Sequence, residues 1–333
     1  MLIPTRKLAD QSVGAVGSGW MRHDWAPTPT SDEQAFESFK TALSLGSTFW
    51  NSGAFYSSSD DKTANLKRIA RFIEKYPEHR DSFFLSVKGG LEPNFTPNAD
   101  LDFLRKDVEN INKQLGGRKM DLYEMARVDT NLGIEKSMKN LIKLRDEGHF
   151  KYIGLSECSA ETIKKASAIG PVSAVEVEFS PFCPDIQSNG VLDACKEFGI
   201  TLICYSPLGG GILSGKIKSN QDFEDGDMRK DWDRFSDENM PHNLKLVEKI
   251  KAIAEKKDVT PAQLAVAWAL HQSDLIVPLP GSTRPEGVKE SVEAANIKLT
   301  QEELDQIRKA VDEADIKGVR YVKNEHIQSK LFA

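Results

Sequence analysis

The chain has 333 residues, of which 39% are hydrophobic and 28% are charged, and its formal net charge is −6. This composition is typical of a globular protein and excludes the disordered, collagen-like and disulfide-scaffold classes. The mild acidic excess gives no support for binding to nucleic acid or to an anionic membrane surface. The four cysteines form no Cys-x-x-Cys pair and the start of the chain has no apolar stretch. We therefore expect a protein of the reducing cytoplasm.

Short apolar runs of the β type alternate with amphipathic helical stretches along the chain. Strands are predicted at 83–87, 121–125, 152–156, 172–177, 200–205 and 275–278, with weaker ones at 13–16 and 48–50. Helices are predicted at 32–45, 63–76, 100–115, 134–147, 160–168, 190–198 and 244–257. The capping-box spacing marks further helix starts at Thr260 and Thr300, and it places the start of the first helix at Thr30.

About eight strand–helix alternations in one series fit either a closed (β/α)8 barrel or an open doubly wound sheet. The open sheet usually carries Gly-x-Gly-x-x-Gly in its first β–α turn, whereas the first glycine cluster here, 14–19, has a different spacing and precedes a loop. We therefore predict an α/β protein with a (β/α)8 TIM barrel and extended loops. It should form a single domain over 1–333, with a barrel core at about 13–295 and a C-terminal helix and tail at 300–333.

In such a barrel the active site lies at the carboxyl ends of the strands. Tyr56 follows the second predicted barrel strand, and Lys88 ends the third. An ammonium group close to a phenol lowers the pKa of the phenol towards neutrality, so this pair suits proton delivery to a carbonyl oxygen. The alternative interpretation is that Tyr56 packs under a loop and Lys88 is a solvated strand end.

Two later segments suit a phosphate group. The glycine-rich segment 205–216 follows the seventh strand and nearly matches a P-loop, but Ile217 stands where Ser or Thr should hold magnesium. After the eighth strand, 280–284 brings hydroxyls and Arg284 to a helix N-terminus, which favours an anion site. Barrels commonly bind phosphate at the loops after these two strands. A tight structural turn is the alternative for the glycine-rich segment.

In this order and spacing, these segments resemble the aldo-keto reductases, which are NADP(H)-dependent (β/α)8 barrels. The resemblance covers nearly the whole chain and runs through 17–21, 50–56, 86–88, 121–129, 148–156, 205–216 and 278–291. Within that family, 49–51, 72–78 and 125–129 are similar to the yeast pyridoxal reductases. The resemblance implies NADPH-dependent reduction of a small aromatic aldehyde, most specifically pyridoxal to pyridoxine, with Tyr56 as the proton donor.

The family's catalytic tetrad consists of Asp, Tyr, Lys and His. The resemblance places Tyr56 and Lys88 in it, but Asn51 stands at the Asp position and Ala126 at the His position. Asn51 is expected to hydrogen-bond Lys88 while leaving its charge less neutralised. Ala126 cannot donate to the substrate carbonyl, so a loop side chain or the phenolic hydroxyl of pyridoxal itself would have to position that oxygen.

The resemblance also implies a set of cofactor and substrate residues. Ser156 and Glu176, where relatives usually have Gln, would contact the nicotinamide carboxamide, and Tyr205 would stack on the nicotinamide ring. The remaining cofactor residues are Trp20, Ser206, Pro207, Leu208, Gly210, Lys216, Gly281, Thr283, Arg284 and Glu290. Arg284 would hold the 2′-phosphate and so favour NADP(H) over NAD(H). The residues expected at the substrate pocket are His23, Trp25 and Arg127.

Other functions fit some of the same residues. Asn51 and Ala126 are also consistent with an NADP(H)-binding regulatory or redox-sensing subunit, since potassium-channel β subunits resemble this family and lack the histidine. A Schiff-base aldolase using Lys88 would leave the cofactor residues unexplained. We expect no metal, because no histidines have metal-ligand spacing. Segment 222–239 is expected to be a mobile loop that folds over the cofactor, and the C-terminal tail either borders the substrate pocket or is frayed.

Overall fold

The computed structural model describes residues 2–333, except for the side chain of residue 326, so the predicted domain of 1–333 begins one residue before the described range. The strands are β1 Thr5–Leu8, β2 Gln11–Gly14, β3 Ser18–Gly19, β4 Phe49–Gly53, β5 Phe84–Gly89, β6 Leu122–Met125, β7 Tyr152–Ser156, β8 Ala174–Glu178, β9 Thr201–Tyr205 and β10 Ile276–Leu279. The α-helices are α1 Asp32–Leu45, α2 Ala64–Lys75, α3 Leu101–Gln114, α4 Ile134–Asp146, α5 Ala160–Ile169, α6 Val191–Phe198, α7 Met240–Lys256, α8 Pro261–Leu270, α9 Pro285–Glu293, α10 Gln301–Asp312 and α11 Glu325–Gln328.

Strands β3 to β10 form one parallel sheet in which each strand pairs with the next in chain order. Helical crossovers between successive strands impose this parallel order. The sheet closes on itself, because the backbone N–H groups of Gly17 and Gly19 donate to the carbonyls of Pro278 and Pro280 at 2.9 and 3.0 Å. The closed sheet confirms the predicted (β/α)8 barrel.

The N-terminal hairpin of β1 and β2 covers one end of the barrel. Leu8 and Val13 from the hairpin pack with the first residues of several barrel strands, among them Phe49 and Phe84. This packing places the hairpin at the amino-terminal end of the barrel. The predicted barrel strand at 13–16 was therefore wrong: the first barrel strand is the two-residue β3, which is too short to produce an apolar alternation.

Helix starts follow the capping pattern closely. The Thr260 and Thr300 hydroxyls cap α8 and α10 in complete capping boxes, as predicted. For α1 the predicted cap at Thr30 was wrong by one residue, since the Ser31 hydroxyl accepts the hydrogen bond from Gln34 N at 3.3 Å. Two adjacent hydroxyl residues have the same capping capacity, and spacing alone did not separate them.

The segment after β9 contains short 3-10 helices at Gly209–Ser214, Asn220–Asp222, Met228–Asp231 and Asp233–Phe235. Buried Asp227 joins it to the first barrel loop, with ion pairs to Arg22 at 3.0 Å and to Arg229 at 2.7 Å. Burial by itself raises the pKa of Asp227, but the hydrogen bonds and charges of the two arginines outweigh it and lower the pKa to about 2. Arg229 also donates to the carbonyl of Gly210 at 2.8 Å. The segment is therefore tied to both the first loop and the glycine-rich turn.

Within the part of the chain that the structure describes, none of the helices has the length and apolar character needed to cross a membrane.

Candidate active site

Tyr56 and Lys88 lie side by side at the carboxyl ends of β4 and β5. Gly53 pairs with Lys88 in the barrel register, and Ala54 N donates to the Lys88 carbonyl at 2.8 Å, so the turn after β4 folds against the end of β5. Lys88 Nζ lies 5.7 Å from the centroid of the Tyr56 ring. Both residues are buried, with 7% of Tyr56 and 5% of Lys88 exposed. The alternative of a solvated lysine does not fit this geometry.

The acidity of Tyr56 differs from the sequence expectation. Burial raises the pKa of its phenol, and although the Lys88 ammonium lowers it, Glu176 and Glu124 raise it further. The expected shift towards neutrality was therefore wrong, because desolvation of the phenolate outweighs the nearby positive charge. The hydroxyl keeps its proton at neutral pH, which suits a proton donor.

The Lys88 ammonium faces oxygen atoms from three other strands, of which β4 and β6 adjoin β5 and β8 does not. It donates to Asn51 Oδ1 at 2.8 Å on β4, as predicted. It also forms ion pairs with Glu176 Oε1 on β8 at 2.5 Å and with Glu124 Oε1 on β6 at 3.6 Å. The prediction that Asn51 would leave Lys88 less neutralised was wrong, since acidic side chains on two other strands face the ammonium, with Glu176 the nearer.

Glu124 and Glu176 are themselves buried and interact with each other. Burial and the neighbouring Glu176 raise the pKa of Glu124 to about 8, although Lys88 and Ser86 act in the opposite direction. Burial also raises the pKa of Glu176, against the lowering effect of Lys88. Ser86 Oγ donates to Glu124 Oε2 at 3.2 Å, while Glu124 Oε1 accepts no hydrogen bond from the described residues.

Sequence reasoning did not single out Glu124. A signal was present, because an acidic residue in the apolar run of a buried parallel strand must find a partner in the barrel interior. For Glu176 the position was noted, but its partner was not. Both of its carboxylate oxygens are engaged, one by Lys88 and the other by Asn51 Nδ2 at 2.9 Å.

A second polar cluster lies at the ends of β7, β8 and β9, where the C-terminal tail crosses them. The Tyr205 hydroxyl donates to Glu157 Oε1 at 2.6 Å, and Arg320 from the tail bonds Glu157 at 2.7 Å and Glu178 at 2.8 Å. Burial raises the pKa of Glu157, but Arg320 more than reverses this and the net pKa is lowered. Ala333 N donates to the Glu157 carbonyl at 3.1 Å. The tail contacts beside Tyr205 contradict the frayed alternative.

An aromatic group borders Tyr56 on its outer side. The Trp25 ring lies 5.7 Å from Tyr56 and stacks on Phe95 at 6.0 Å, and Phe55 lies 5.1 Å from Tyr56. Trp25 is thus next to the phenol of Tyr56, where the substrate pocket was expected. Phe55 and Phe95 were missed; the sequence signal for Phe95 is a large aromatic residue in an otherwise polar loop, and the structure leaves it 44% exposed.

Two residues of the first loop lie deeper than expected. His23 and Trp20 have no exposed surface, and their rings pack 5.5 Å apart against Phe39. Among the described residues, neither ring nitrogen of His23 has a hydrogen-bond partner, and the indole N–H of Trp20 has none either. This placement does not support the assignment of His23 to the substrate pocket, because the imidazole is enclosed by core aromatic rings.

Burial of His23 predicts a pH-dependent stability. Desolvation lowers the pKa of the imidazole from 6.5 to about 4. The unfolded chain therefore takes up a proton at a higher pH than the folded chain, and stability is complete above pH 6.5 and falls as the pH drops towards 4. Between pH 7.5 and pH 4.5 the loss is expected to be about 2 to 3 kcal/mol. Urea unfolding of the wild type and of His23→Leu at both pH values measures it. An equal change in the two proteins would contradict this account.

Arg127 follows Ala126 at the end of β6 and is half-buried. Its Nη1 donates to the carbonyl of Ala126 at 2.5 Å, and among the described residues no carboxylate lies within ion-pair distance of it. Tyr205, Tyr321 and Glu157 are the groups that raise its pKa against the effect of burial. The guanidinium therefore lies on the side of the second polar cluster with donor groups to spare.

The residues predicted to hold a cofactor fit a dinucleotide in several respects. The Ser156 hydroxyl at the end of β7 is buried without a hydrogen-bond partner among the described residues. Gly210 has a φ of +69°, and a Cβ there would meet the rings of Trp232 and Phe235 at 3.0 Å, so only glycine fits this turn. Arg284 occupies the N-cap position of α9, and both it and Lys216 are exposed.

The other predicted cofactor residues lie along the same edge of the barrel. Gly281 bridges to Gly19 at the closing seam, and the Thr283 carbonyl accepts from Gln34 Nε2 at 2.8 Å. The rest lie in the loop directly after β9, where Ser206 and Leu208 are half-buried and Pro207 is buried, and on α9, where Glu290 is half-buried. No group of three His, Cys, Asp or Glu suited to a metal occurs among the described residues.

A model of the aldo/keto reductase family matches residues 15–312. The chain belongs to the aldo/keto reductase family. It is 41% identical over 328 residues to a Schizosaccharomyces pombe protein named as the NADP(+) aldo-keto reductase yakc, with 96% of this chain and 95% of that protein covered. It is 37% identical over 326 residues to probable pyridoxal reductase 2 of the same yeast, with 96% and 97% covered.

The fold of this aldo/keto reductase is shared with solved structures of low identity. The glycerol dehydrogenase of Gluconobacter oxydans superposes with a TM-score of 0.83 at 21% identity and covers 96% of this chain and 98% of its own. The likeness therefore concerns the barrel architecture. Which carbonyl compound this aldo/keto reductase reduces has to be argued from its own site.

Proposed function

We propose that this aldo/keto reductase reduces a small aromatic aldehyde, most specifically pyridoxal to pyridoxine, with NADPH as the reductant and Tyr56 as the proton donor. The observation that carries the proposal is the buried Tyr56–Lys88 pair at the carboxyl end of the barrel, with the phenol protonated. The relatives named as an NADP(+) reductase and a probable pyridoxal reductase support the cofactor and the substrate.

When bound, NADPH supplies a hydride to the carbonyl carbon. The free hydroxyl of Ser156 would bind the carboxamide of the nicotinamide, and Tyr205 would lie against its ring. The glycine-rich turn and Lys216 would hold the pyrophosphate, and Arg284 with Thr283 the 2′-phosphate. Glu176 is engaged with Lys88, so we assign the carboxamide to Ser156 rather than to Glu176.

The proton chemistry belongs to Tyr56 and Lys88. As the substrate oxygen gains negative charge, the O–H bond of Tyr56 breaks and a new O–H bond forms on the substrate. The phenolate that remains on Tyr56 is stabilised by the ammonium of Lys88. Because both groups are buried, this electrostatic interaction is stronger than it would be in water.

The surroundings of Tyr56 suit a flat aromatic aldehyde. The rings of Trp25 and Phe55 provide apolar walls beside the phenol. Pyridoxal carries a hydroxyl next to its aldehyde, and an intramolecular hydrogen bond from that hydroxyl would orient the carbonyl in place of the donor that Ala126 lacks. The guanidinium of Arg127, which makes one hydrogen bond to the Ala126 carbonyl, would offer a second donor at the same end of β6.

The direct test is the oxidation of NADPH at 340 nm with four aldehydes: pyridoxal, salicylaldehyde, benzaldehyde and an aliphatic aldehyde. We expect the highest kcat/KM with pyridoxal, and a higher value with salicylaldehyde than with benzaldehyde, because only the former has the neighbouring hydroxyl. Tight NADPH binding without turnover of any aldehyde would overturn the proposal and favour the regulatory-subunit alternative instead.

Replacing Arg284 with Met tests the 2′-phosphate site. Removal of a charged hydrogen-bonding partner is expected to raise the KM for NADPH by about tenfold to a hundredfold. The KM for NADH should change little, since NADH has no 2′-phosphate. The matched control is Lys289→Met, which removes another exposed cation from α9. Equal changes in the KM for NADPH and for NADH would show that Arg284 does not bind the 2′-phosphate.

A further inference from the structure

Two glutamate side chains face the single ammonium group of Lys88. Its ammonium contacts Glu176 Oε1 at 2.5 Å and Glu124 Oε1 at 3.6 Å, and the Asn51 amide oxygen at 2.8 Å. All of these side chains are buried, with Glu124 1% and Glu176 2% exposed. The resemblance to the family places a single aspartate at position 51, whereas here two acidic side chains from other strands face the ammonium.

Charge balance limits how this cluster can be ionised. One ammonium and two ionised carboxylates would leave a net negative charge in the barrel interior, which is costly in a medium of low dielectric constant. The two carboxyl groups are coupled, and the pKa of each is raised by burial. One ionised carboxylate and one shared proton therefore make the cluster neutral with Lys88 charged.

The arrangement around Glu176 shows which carboxylate carries the charge. Glu176 makes the shorter ion pair with Lys88, and its other oxygen accepts from Asn51 Nδ2 at 2.9 Å. Glu124 lies farther from the ammonium and its Oε1 accepts no hydrogen bond from the described residues. Hydrogen bonds stabilise the ionised form, so the charge resides mainly on Glu176 and the proton mainly on Glu124.

We propose that Glu176, backed by a protonated Glu124, is the positioning residue of Lys88 and takes over the charge that relatives supply from position 51. This inference rests on the proposed function, because it concerns the acid–base properties of Tyr56 and Lys88. Asn51 and Glu176 act together: the Asn51 amide donates to Glu176, and Lys88 donates to the Asn51 oxygen while forming its ion pair with Glu176.

Exchanging the two side chains tests this directly. Glu176→Gln removes the charge, Asn51→Asp adds a second one, and the combined variant N51D/E176Q moves the charge from one side of Lys88 to the other. In E176Q the pKa of Tyr56 should fall, because a carboxylate that raised it is gone. The alkaline limb of kcat/KM for reduction, which requires a protonated Tyr56, is then expected about one pH unit lower. A roughly tenfold decrease in kcat should accompany this change, because Lys88 loses the ion pair that holds it beside Tyr56.

The combined variant is expected to recover most of the kcat and to return the alkaline limb towards the wild-type pH. Free energies of unfolding in urea should show the same non-additivity. The combined variant should be more stable than the sum of the two single-variant losses predicts. The control is Glu178→Gln, which removes a buried carboxylate of the same strand that pairs with Arg320 instead of Lys88. It should leave the alkaline limb in place.

An unshifted alkaline limb in E176Q, together with additive effects in N51D/E176Q, would overturn the inference. Failure of the proposed function is a separate result: wild-type protein that turns over no aldehyde. In that case the unfolding measurements, which do not depend on turnover, still decide whether positions 51 and 176 can each supply the negative charge that faces Lys88.

Discussion

In Tyr56→Phe, kcat for aldehyde reduction is expected to fall by about 10²- to 10⁴-fold, the usual contribution of a positioned general acid. The variant removes only the hydroxyl, and its ring can still pack against Trp25 and Phe55. Steady-state kinetics with pyridoxal and NADPH measures the loss across the pH range.

The control for this variant is cofactor binding. Quenching of tryptophan fluorescence by NADPH should give the same Kd as the wild type, because no predicted cofactor contact is changed. A Tyr56→Phe enzyme with unchanged turnover would show that Tyr56 does not provide the proton.

Lys88→Met is expected to lower the free energy of unfolding by roughly 3 to 5 kcal/mol at alkaline pH, because it leaves two buried carboxyl groups without their cation. The carboxyl groups would then have folded-state pKa values even farther above their unfolded values. They stay protonated in the folded variant at low pH, so the penalty is small near pH 5 and grows as the pH rises.

Urea unfolding of Lys88→Met at pH 5 and pH 8.5 measures this difference. The matched variant is Lys88→Met with Glu176→Gln, which removes the facing charge as well and should regain part of the loss. A loss of the same size at both pH values would contradict the view that Lys88 neutralises these carboxylates.

The barrel could be predicted from the sequence because its signal is local. Each buried strand and each amphipathic helix carries its own period, and most element boundaries were placed within one or two residues. The first barrel strand was the exception: β3 has two residues, and the apolar Val13 before it serves the hairpin that covers the barrel.

The site was predictable in part. Tyr56 and Lys88 were recognisable as residues at neighbouring strand ends, and their contact follows from the barrel register. The charge around Lys88 was not predictable, because Glu124 becomes its partner only through the register of β5 with β6, and Glu176 reaches it from the non-adjacent strand β8. For the same reason Arg320, which meets Glu157 and Glu178 through the C-terminal tail, gave no signal of its partners.

The direction of the pKa change at Tyr56 was not predictable from the sequence either. From the sequence, an adjacent lysine was the only influence available, and it predicts a more acidic phenol. The structure adds burial and two carboxylates, and these raise the pKa of Tyr56 instead. Predictions from sequence neighbours therefore leave out desolvation, which has the largest effect on the pKa of Tyr56 inside the barrel.

The proposed function depends on direct hydride transfer from NADPH to the aldehyde carbon, with the proton supplied by Tyr56. The most direct measurement uses NADPH deuterated at C4 on the transferring face, followed by mass spectrometry of the alcohol formed from pyridoxal. We predict pyridoxine that carries one carbon-bound deuterium in the wild type, and a large loss of this product in Tyr56→Phe. Binding of the deuterated cofactor without any labelled alcohol would contradict the account.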